Sequence, residues 1–256
     1  MEEFNFVRHG SKMKADEVRV PIKESGLSSS QQEKWKEAVE RLKLEDPEIN
    51  YDSLVKIEAL AQDICSQLPE KALLIFNSTN TPRTKLTADF LSTSVFEESK
   101  KLGKDIRVAY IWEPSLRAKE DGALMRTSES IGIPLMLRLM EEVEENDDKS
   151  LHMYLTSGKG AFAHPKEDEL VMKAVNRDLA SEPSFFKNRA AVLKGQMDRI
   201  RESFPDKDLP LYFYGIGHHG SLIALDVAFN GREKYSSVDE IPQPLSVWGV
   251  NLKNEN

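Results

Sequence analysis

The sequence is poor in the features that mark secreted, membrane-spanning and nucleic-acid-binding proteins. Its 256 residues include one cysteine, Cys65, so no disulfide can form within the chain. The formal net charge is −8, which disfavours a nucleic-acid surface because phosphate backbones select clustered lysine and arginine. No apolar run reaches membrane-spanning length, and the first residues lack the basic and apolar segments of a signal peptide. We therefore expect a cytoplasmic protein with no nucleic-acid and no membrane partner.

The composition is that of an ordinary globular protein, with 39% apolar and 30% charged residues. Apolar residues recur at strand spacing in some segments and at helical spacing between them, which predicts an α/β fold. Strands are predicted near 4–7, 72–76, 106–112, 209–217 and 245–252, with a further edge strand at 151–155. Helices are predicted over 31–44, 51–68, 131–145, 167–179 and 185–204, after Pro82 and after Ser221.

The first strand leads directly into Arg8, His9 and Gly10. In an open α/β sheet the carboxyl ends of the strands form the ligand-binding edge, because the following helices present their amino termini there. Arginine offers a planar, permanently charged fork to phosphate oxygens, and a neutral imidazole can act as a nucleophile. The pair predicts a phosphoryl-transfer site, although an isolated Arg-His-Gly tripeptide also occurs by chance in turns.

Two later junctions between a strand and a helix carry the same chemistry. Arg83 follows the strand at 72–76, and His218 and His219 follow the strand at 209–217. Parallel strands align their carboxyl ends, so these residues are expected to converge with Arg8 and His9 in one pocket. There one imidazole would attack phosphorus, while the other basic groups would hold the equatorial oxygens and a nearby acid would protonate the leaving oxygen. This chemistry needs no metal and no cofactor.

Three segments resemble motifs of the histidine phosphatase superfamily, which includes the phosphoglycerate mutases: Phe-Val-Arg8-His9-Gly10, Arg83-Thr-Lys-Leu-Thr87-Ala88 and Gly217-His218. The resemblance covers roughly the first 125 residues and the last 75. It implies a phosphohistidine intermediate at His9 and phosphate contacts from Arg8 and Arg83. It also implies one domain over 1–256, a three-layer α/β/α sandwich whose mostly parallel, doubly wound sheet has flanking helices. A helical insertion at 121–183 would supply a lid over the pocket.

Two features of the resemblance leave alternatives open. The Ser-Leu and Ala-Leu pairs after residue 219 favour His218 as the second functional histidine, whereas a shift of one residue would select His219. The proton donor is also in question, because Ala118 stands where the family pattern has glutamate. Glu120 lies two residues further on and is the favoured substitute, ahead of Glu113 and Asp121.

These features predict a metal-independent phosphomonoesterase that acts through phospho-His9 on a phosphorylated small molecule. A mutase is a weaker alternative, because the Ser-Lys-Met-Lys segment after Gly10 does not resemble that of phosphoglycerate mutases. A phosphate-binding protein with weakened turnover is another, and Ala118 motivates it. The identity of the substrate does not follow from the sequence, and the edge strand at 245–252 predicts either a homodimer or simple closure of the sheet.

Overall fold

The structure is a computed structural model that describes residues 2–8, 10, 21–44, 49–78, 81–111, 208–217 and 230–250, with single helical residues at 169, 172, 173, 176, 180, 202, 222 and 226. Those single residues fall in or beside the helices predicted over 167–179, over 185–204 and after Ser221. The helix predicted over 131–145, the strand predicted over 151–155 and most of the proposed lid at 121–183 lie outside the described residues.

The described strands form one mixed, mostly parallel sheet, as the sequence predicts. The sheet has five strands in the order β3-β2-β4-β1-β5. Four of them run parallel to their neighbours, and β5 pairs antiparallel to β1 at the sheet edge. The strand bounds are Glu2–Arg8 for β1, Lys71–Ser78 for β2, Asp105–Ile111 for β3, Leu211–Gly217 for β4 and Val247–Val250 for β5.

The helix α1 spans Ser29–Arg41 and shows clear reasons for both of its ends. Ser28 caps the amino terminus, since its hydroxyl accepts from the Gln31 amide and the Gln31 side chain accepts from the Ser28 amide. At the other end Lys43 adopts a left-handed backbone with φ of 51°, and its amide bonds the Glu40 carbonyl. The helix therefore ends before Leu44, earlier than the apolar spacing predicts.

The two further helices are α2 at Asp52–Gln67 and α3 at Pro82–Lys101; α3 lies against the sheet, and α1 and α2 pack on α3. They share a buried cluster with alternate residues of the strands, and its members from the sheet include Val7, Leu74, Phe76 and Ile216. Cys65 of α2 is fully buried, and its Sγ lies 3.4 Å from the Val95 carbonyl oxygen. Burial raises the pKa of this thiol above its ordinary value.

The last strand is shorter than predicted, because its first two residues belong to a turn. Leu245 has a φ of 62°, and its amide donates to the Arg8 carbonyl at 3.0 Å. Pairing with β1 begins at Val247, which lies opposite Val7. No helix within the described part of the chain is both long enough and apolar enough to cross a bilayer.

Candidate active site

The ends of β1, β2 and β4 lie side by side at one edge of the sheet. Arg8 of β1 is paired with Gly217 of β4, and Ser78 of β2 is paired with Ile216 of the same strand. The prediction that these three strands align their carboxyl ends is therefore confirmed. The segments that follow residues 8, 78 and 217 all leave the sheet at this edge.

Arg83 lies in the first turn of α3, directly after the β2 junction. Pro82 is the first helical residue, where its missing amide hydrogen costs no intrahelical bond. The Thr81 hydroxyl does not cap the helix backbone and instead lies 2.9 Å from the Thr84 hydroxyl. A helix amino terminus carries a partial positive charge, so the guanidinium of Arg83 adds to a field that already favours an anion.

A single threonine joins the loop after β1 to the start of α3. The Gly10 amide donates to Thr87 Oγ1 at 3.1 Å across a separation of 77 residues, in buried surroundings. The same hydroxyl donates to the Arg83 carbonyl at 2.7 Å. Thr87 is fully buried, so solvent cannot replace it as a partner for the Gly10 amide. Two of the sequence segments that resemble phosphatase motifs are thus in direct contact.

The Gly10 position admits no side chain, because α2 approaches its backbone closely. A Cβ atom built on Gly10 would lie 2.8 Å from Ser53 Cβ and 2.9 Å from Ser53 Oγ. Ser53 is fully buried near the start of α2, and within the described part of the chain its hydroxyl has no hydrogen-bond partner. The turn after Arg8 is therefore held between α2 and α3, and glycine is required there for space.

Arg8 is held from the opposite end of the chain. Its Nη1 donates to the Pro242 carbonyl at 2.7 Å, and its backbone amide donates to the Ser246 carbonyl at 3.4 Å. The Leu245 amide completes the set by donating to the Arg8 carbonyl. Residues 242–246 thus fix both the backbone and the guanidinium of Arg8.

A pair of hydroxyl groups lies beside α3 at the same edge of the sheet. Ser78 Oγ and the Tyr110 hydroxyl are 3.1 Å apart, and the Tyr110 hydroxyl lies 3.4 Å from the Lys85 carbonyl. Burial raises the pKa of Tyr110 well above its ordinary value, so the phenol stays neutral and serves as a hydrogen-bonding group. The edge therefore offers neutral hydroxyl groups as well as two guanidinium groups.

The remaining predicted site residues lie outside the described residues. They are His9, His218, His219, Ala118 and the three carboxylate candidates Glu113, Glu120 and Asp121. His9 stands in the sequence between Arg8 and Gly10, and His218 directly follows Gly217, so the described neighbours of both histidines belong to the edge defined above. Their roles stay predictions.

Sequence reasoning did not assign a role to Ser53, Thr87 or Pro242. Thr87 carried a signal, since it lies four residues after Arg83 and shares its helix face. Ser53 and Pro242 carried none, because their contacts are made by a Cβ atom and by a backbone carbonyl. Among the residues the structure describes, no three His, Cys, Asp or Glu side chains come together as a metal site.

Comparison with known proteins assigns no relative: no family model matches the chain, and no curated protein is significantly similar to it.

Proposed function

We propose that this chain is a metal-independent phosphomonoesterase of the histidine phosphatase type, with His9 as the nucleophile. The observation that carries the proposal is the buried bond from the Gly10 amide to Thr87 Oγ1, which brings the segment around residue 9 against the first turns of α3. That helix carries Arg83, and Arg8 ends β1 at the same edge of the sheet. Two guanidinium groups at one sheet edge give a local positive site in a chain of net charge −8.

The proposed reaction has two balanced steps. An imidazole nitrogen of His9 attacks phosphorus, the bond from phosphorus to the ester oxygen breaks, and a carboxylic acid, Glu120 in this proposal, protonates the departing alkoxide. Water then attacks the phosphohistidine with loss of a proton to the same carboxylate, which releases phosphate and free His9. Arg8, Arg83 and His218 would hold the equatorial oxygens, whose charge must be balanced in both transition states.

We propose in addition that helices cover both faces of the sheet. Alternate residues of the strands, Phe6, Ile75 and Phe213, are fully or almost fully buried although they lie outside the cluster formed with α1 to α3. This burial supports a second helical layer on the other side of the sheet, hence a three-layer sandwich. The segment 121–183, which follows β3, would then form the lid over the pocket.

The test is turnover and covalent labelling with a chromogenic phosphomonoester such as p-nitrophenyl phosphate. The unmodified protein should release nitrophenol and, when the reaction is stopped with alkali, retain a phosphoryl group that acid removes. His9→Ala should abolish both signals, whereas Ser92→Ala, a change in α3 outside all three motifs, should keep both. Turnover by pure His9→Ala equal to that of the control would overturn the assignment.

A phosphate-binding protein without efficient turnover is the second candidate, and Ala118 favours it because the family acid is replaced there. Loss of a general acid typically costs a factor of about 10² to 10⁴ in rate. Thermal stabilisation by phosphate or vanadate without hydrolysis across a broad panel of phosphoesters would select this candidate. Relocation of the phosphoryl group on phosphoglycerates, without release of phosphate, would instead select a mutase.

A further inference from the structure

A buried carboxylate, that of Asp226, binds three side chains of the described segment that precedes β5. Asp226 is 4% exposed and accepts from the Tyr235 hydroxyl at 2.8 Å and from Asn230 Nδ2 at 2.8 Å. It is also paired with Arg232 through the guanidinium Nε. A buried carboxylate is tolerated only when such donors replace its water, so Asp226 fixes the positions of all three partners.

These bonds continue into residues 231–246, the segment that we call the strap. Arg232 Nη1 lies 3.1 Å from Glu240 Oε2, and the same Glu240 oxygen accepts from the Ser236 amide at 3.2 Å. The Arg232 guanidinium also covers the Tyr235 ring at 4.6 Å from its centroid. The Arg232–Glu240 ion pair therefore joins the start of the strap to a residue two positions before Pro242.

The end of the strap holds Arg8. Three backbone or side-chain bonds join it to this residue, and one of them, from Nη1 to the Pro242 carbonyl at 2.7 Å, fixes the guanidinium itself. The turn that makes these bonds contains Leu245 at a φ of 62°, a left-handed conformation that residues other than glycine rarely adopt. Such a turn persists because its surroundings impose it.

We propose that the strap is a positioning device for the Arg8 guanidinium and that Asp226 is a positioning residue of the phosphate site. The inference rests on the proposed function for the ligand of Arg8, and on geometry alone for the coupling between Asp226 and Arg8. Asp226 holds Arg232 and Tyr235, Arg232 holds Glu240, and the chain then reaches the carbonyl that orients Arg8. The orientation of the Arg8 guanidinium thus depends on the Asp226 carboxylate, although the two residues lie far apart in the sequence.

The first test is a double-mutant cycle on the affinity for inorganic phosphate. Asp226→Asn keeps the shape of the side chain but removes the charge that holds Arg232, and it should raise the phosphate Kd about tenfold, as expected when a charge-assisted contact is lost. In an Arg8→Ala background the same change should alter the Kd by less than about twofold, because the group it positions is gone. Equal losses in both backgrounds would overturn the coupling.

The second test reads Arg8 directly by NMR of arginine side chains, and needs no phosphate. Its Nη signals, assigned by their loss in Arg8→Lys, should be distinct in the unmodified protein and averaged in Asp226→Asn. Glu240→Gln should act in the same direction and is less disruptive, since that carboxylate is 37% exposed. The control is Asp89→Asn, which removes the other described buried carboxylate paired with an arginine, here Arg41.

The two tests separate the two claims. Unchanged Arg8 signals in both strap variants would overturn the positioning role, whatever the ligand. Averaged Arg8 signals in Asp89→Asn would also overturn it, because general loosening of the fold would then explain the effect. Failure of the unmodified protein to bind phosphate would overturn the proposed function alone, and the NMR result would still decide the role of Asp226.

Discussion

Because the Gly10 amide donates to Thr87 Oγ1, we expect replacement of Thr87 by valine to lower both the stability of the fold and its affinity for phosphate. Thr87→Val keeps the size and branching of the side chain but offers no acceptor to the Gly10 amide. The amide stays buried, because Gly10 and Thr87 are both enclosed. The lost bond from Thr87 Oγ1 to the Arg83 carbonyl matters less, since that carbonyl belongs to a helix.

The magnitude follows from the loss of the acceptor in a buried hydrogen bond. Removal of one partner of such a bond costs about 1–3 kcal/mol, so we expect a loss of about 2 kcal/mol in the free energy of unfolding. For a chain of this size a loss of about 2 kcal/mol lowers Tm by roughly 4–8 °C. Thermal or urea denaturation measures this change, and repeating it with phosphate shows whether the stabilisation by ligand falls too.

Ser92→Ala is the matched control for Thr87→Val. Ser92 is a buried hydroxyl residue of the same helix, and its hydroxyl donates to the Asp89 carbonyl at 3.0 Å within that helix. Its loss should cost less, and the stabilisation by phosphate should be retained. The reasoning is refuted if Thr87→Val is as stable as Ser92→Ala and gains as much from phosphate.

Three other predictions follow from the same edge of the sheet. Arg8→Lys and Arg83→Lys should each weaken binding of inorganic phosphate about tenfold or more in calorimetry, because the planar fork is lost while the charge stays; unchanged affinity would remove that arginine from the site. Gly10→Ala should destabilise the fold by about 1–3 kcal/mol, because the added methyl group would overlap Ser53. Adding Ser53→Gly should recover part of that loss, whereas additive losses in the double variant would contradict the contact between Gly10 and Ser53. Burial raises the pKa of Tyr110, so above the ordinary tyrosine value of 10.0 the unfolded chain loses this proton first and stability should fall as pH rises. Tyr110→Phe should make this fall less steep when urea midpoints are measured against pH. An equally steep fall in the variant would refute the contribution of Tyr110.

Much of the described sheet follows from local patterns in the sequence. The run from Ala72 to Phe76 predicts a strand buried on both faces, and all five residues are buried. A serine followed three residues later by glutamine is a common helix start, and Ser28 and Gln31 form a capping box at the start of α1. The helix α1 ends earlier than the apolar spacing predicts, because Lys43 adopts a left-handed backbone. Lysine is not a usual residue for that conformation, so the sequence carries no helix-stop signal there.

The positions of the candidate site residues were predictable where a basic side chain follows a strand. The end of β1 at Arg8 and the helix start at Arg83 were both expected, because each basic residue follows an apolar run. The supporting contacts were not, since the close approach of Ser53 to Gly10 and the Pro242 carbonyl join segments far apart in sequence. Residue spacing in the sequence does not predict these contacts, because the order of the strands in the sheet brings the segments together.

The enclosed thiol of Cys65, the sole cysteine in the chain, provides a ready reporter on the seam between α2 and α3. A cysteine-selective reagent can reach it only when that seam opens, so the rate of modification measures the free energy of local opening rather than ordinary reactivity. A cysteine engineered on the surface can therefore be labelled with a fluorophore while the buried Cys65 thiol remains unmodified in the folded protein.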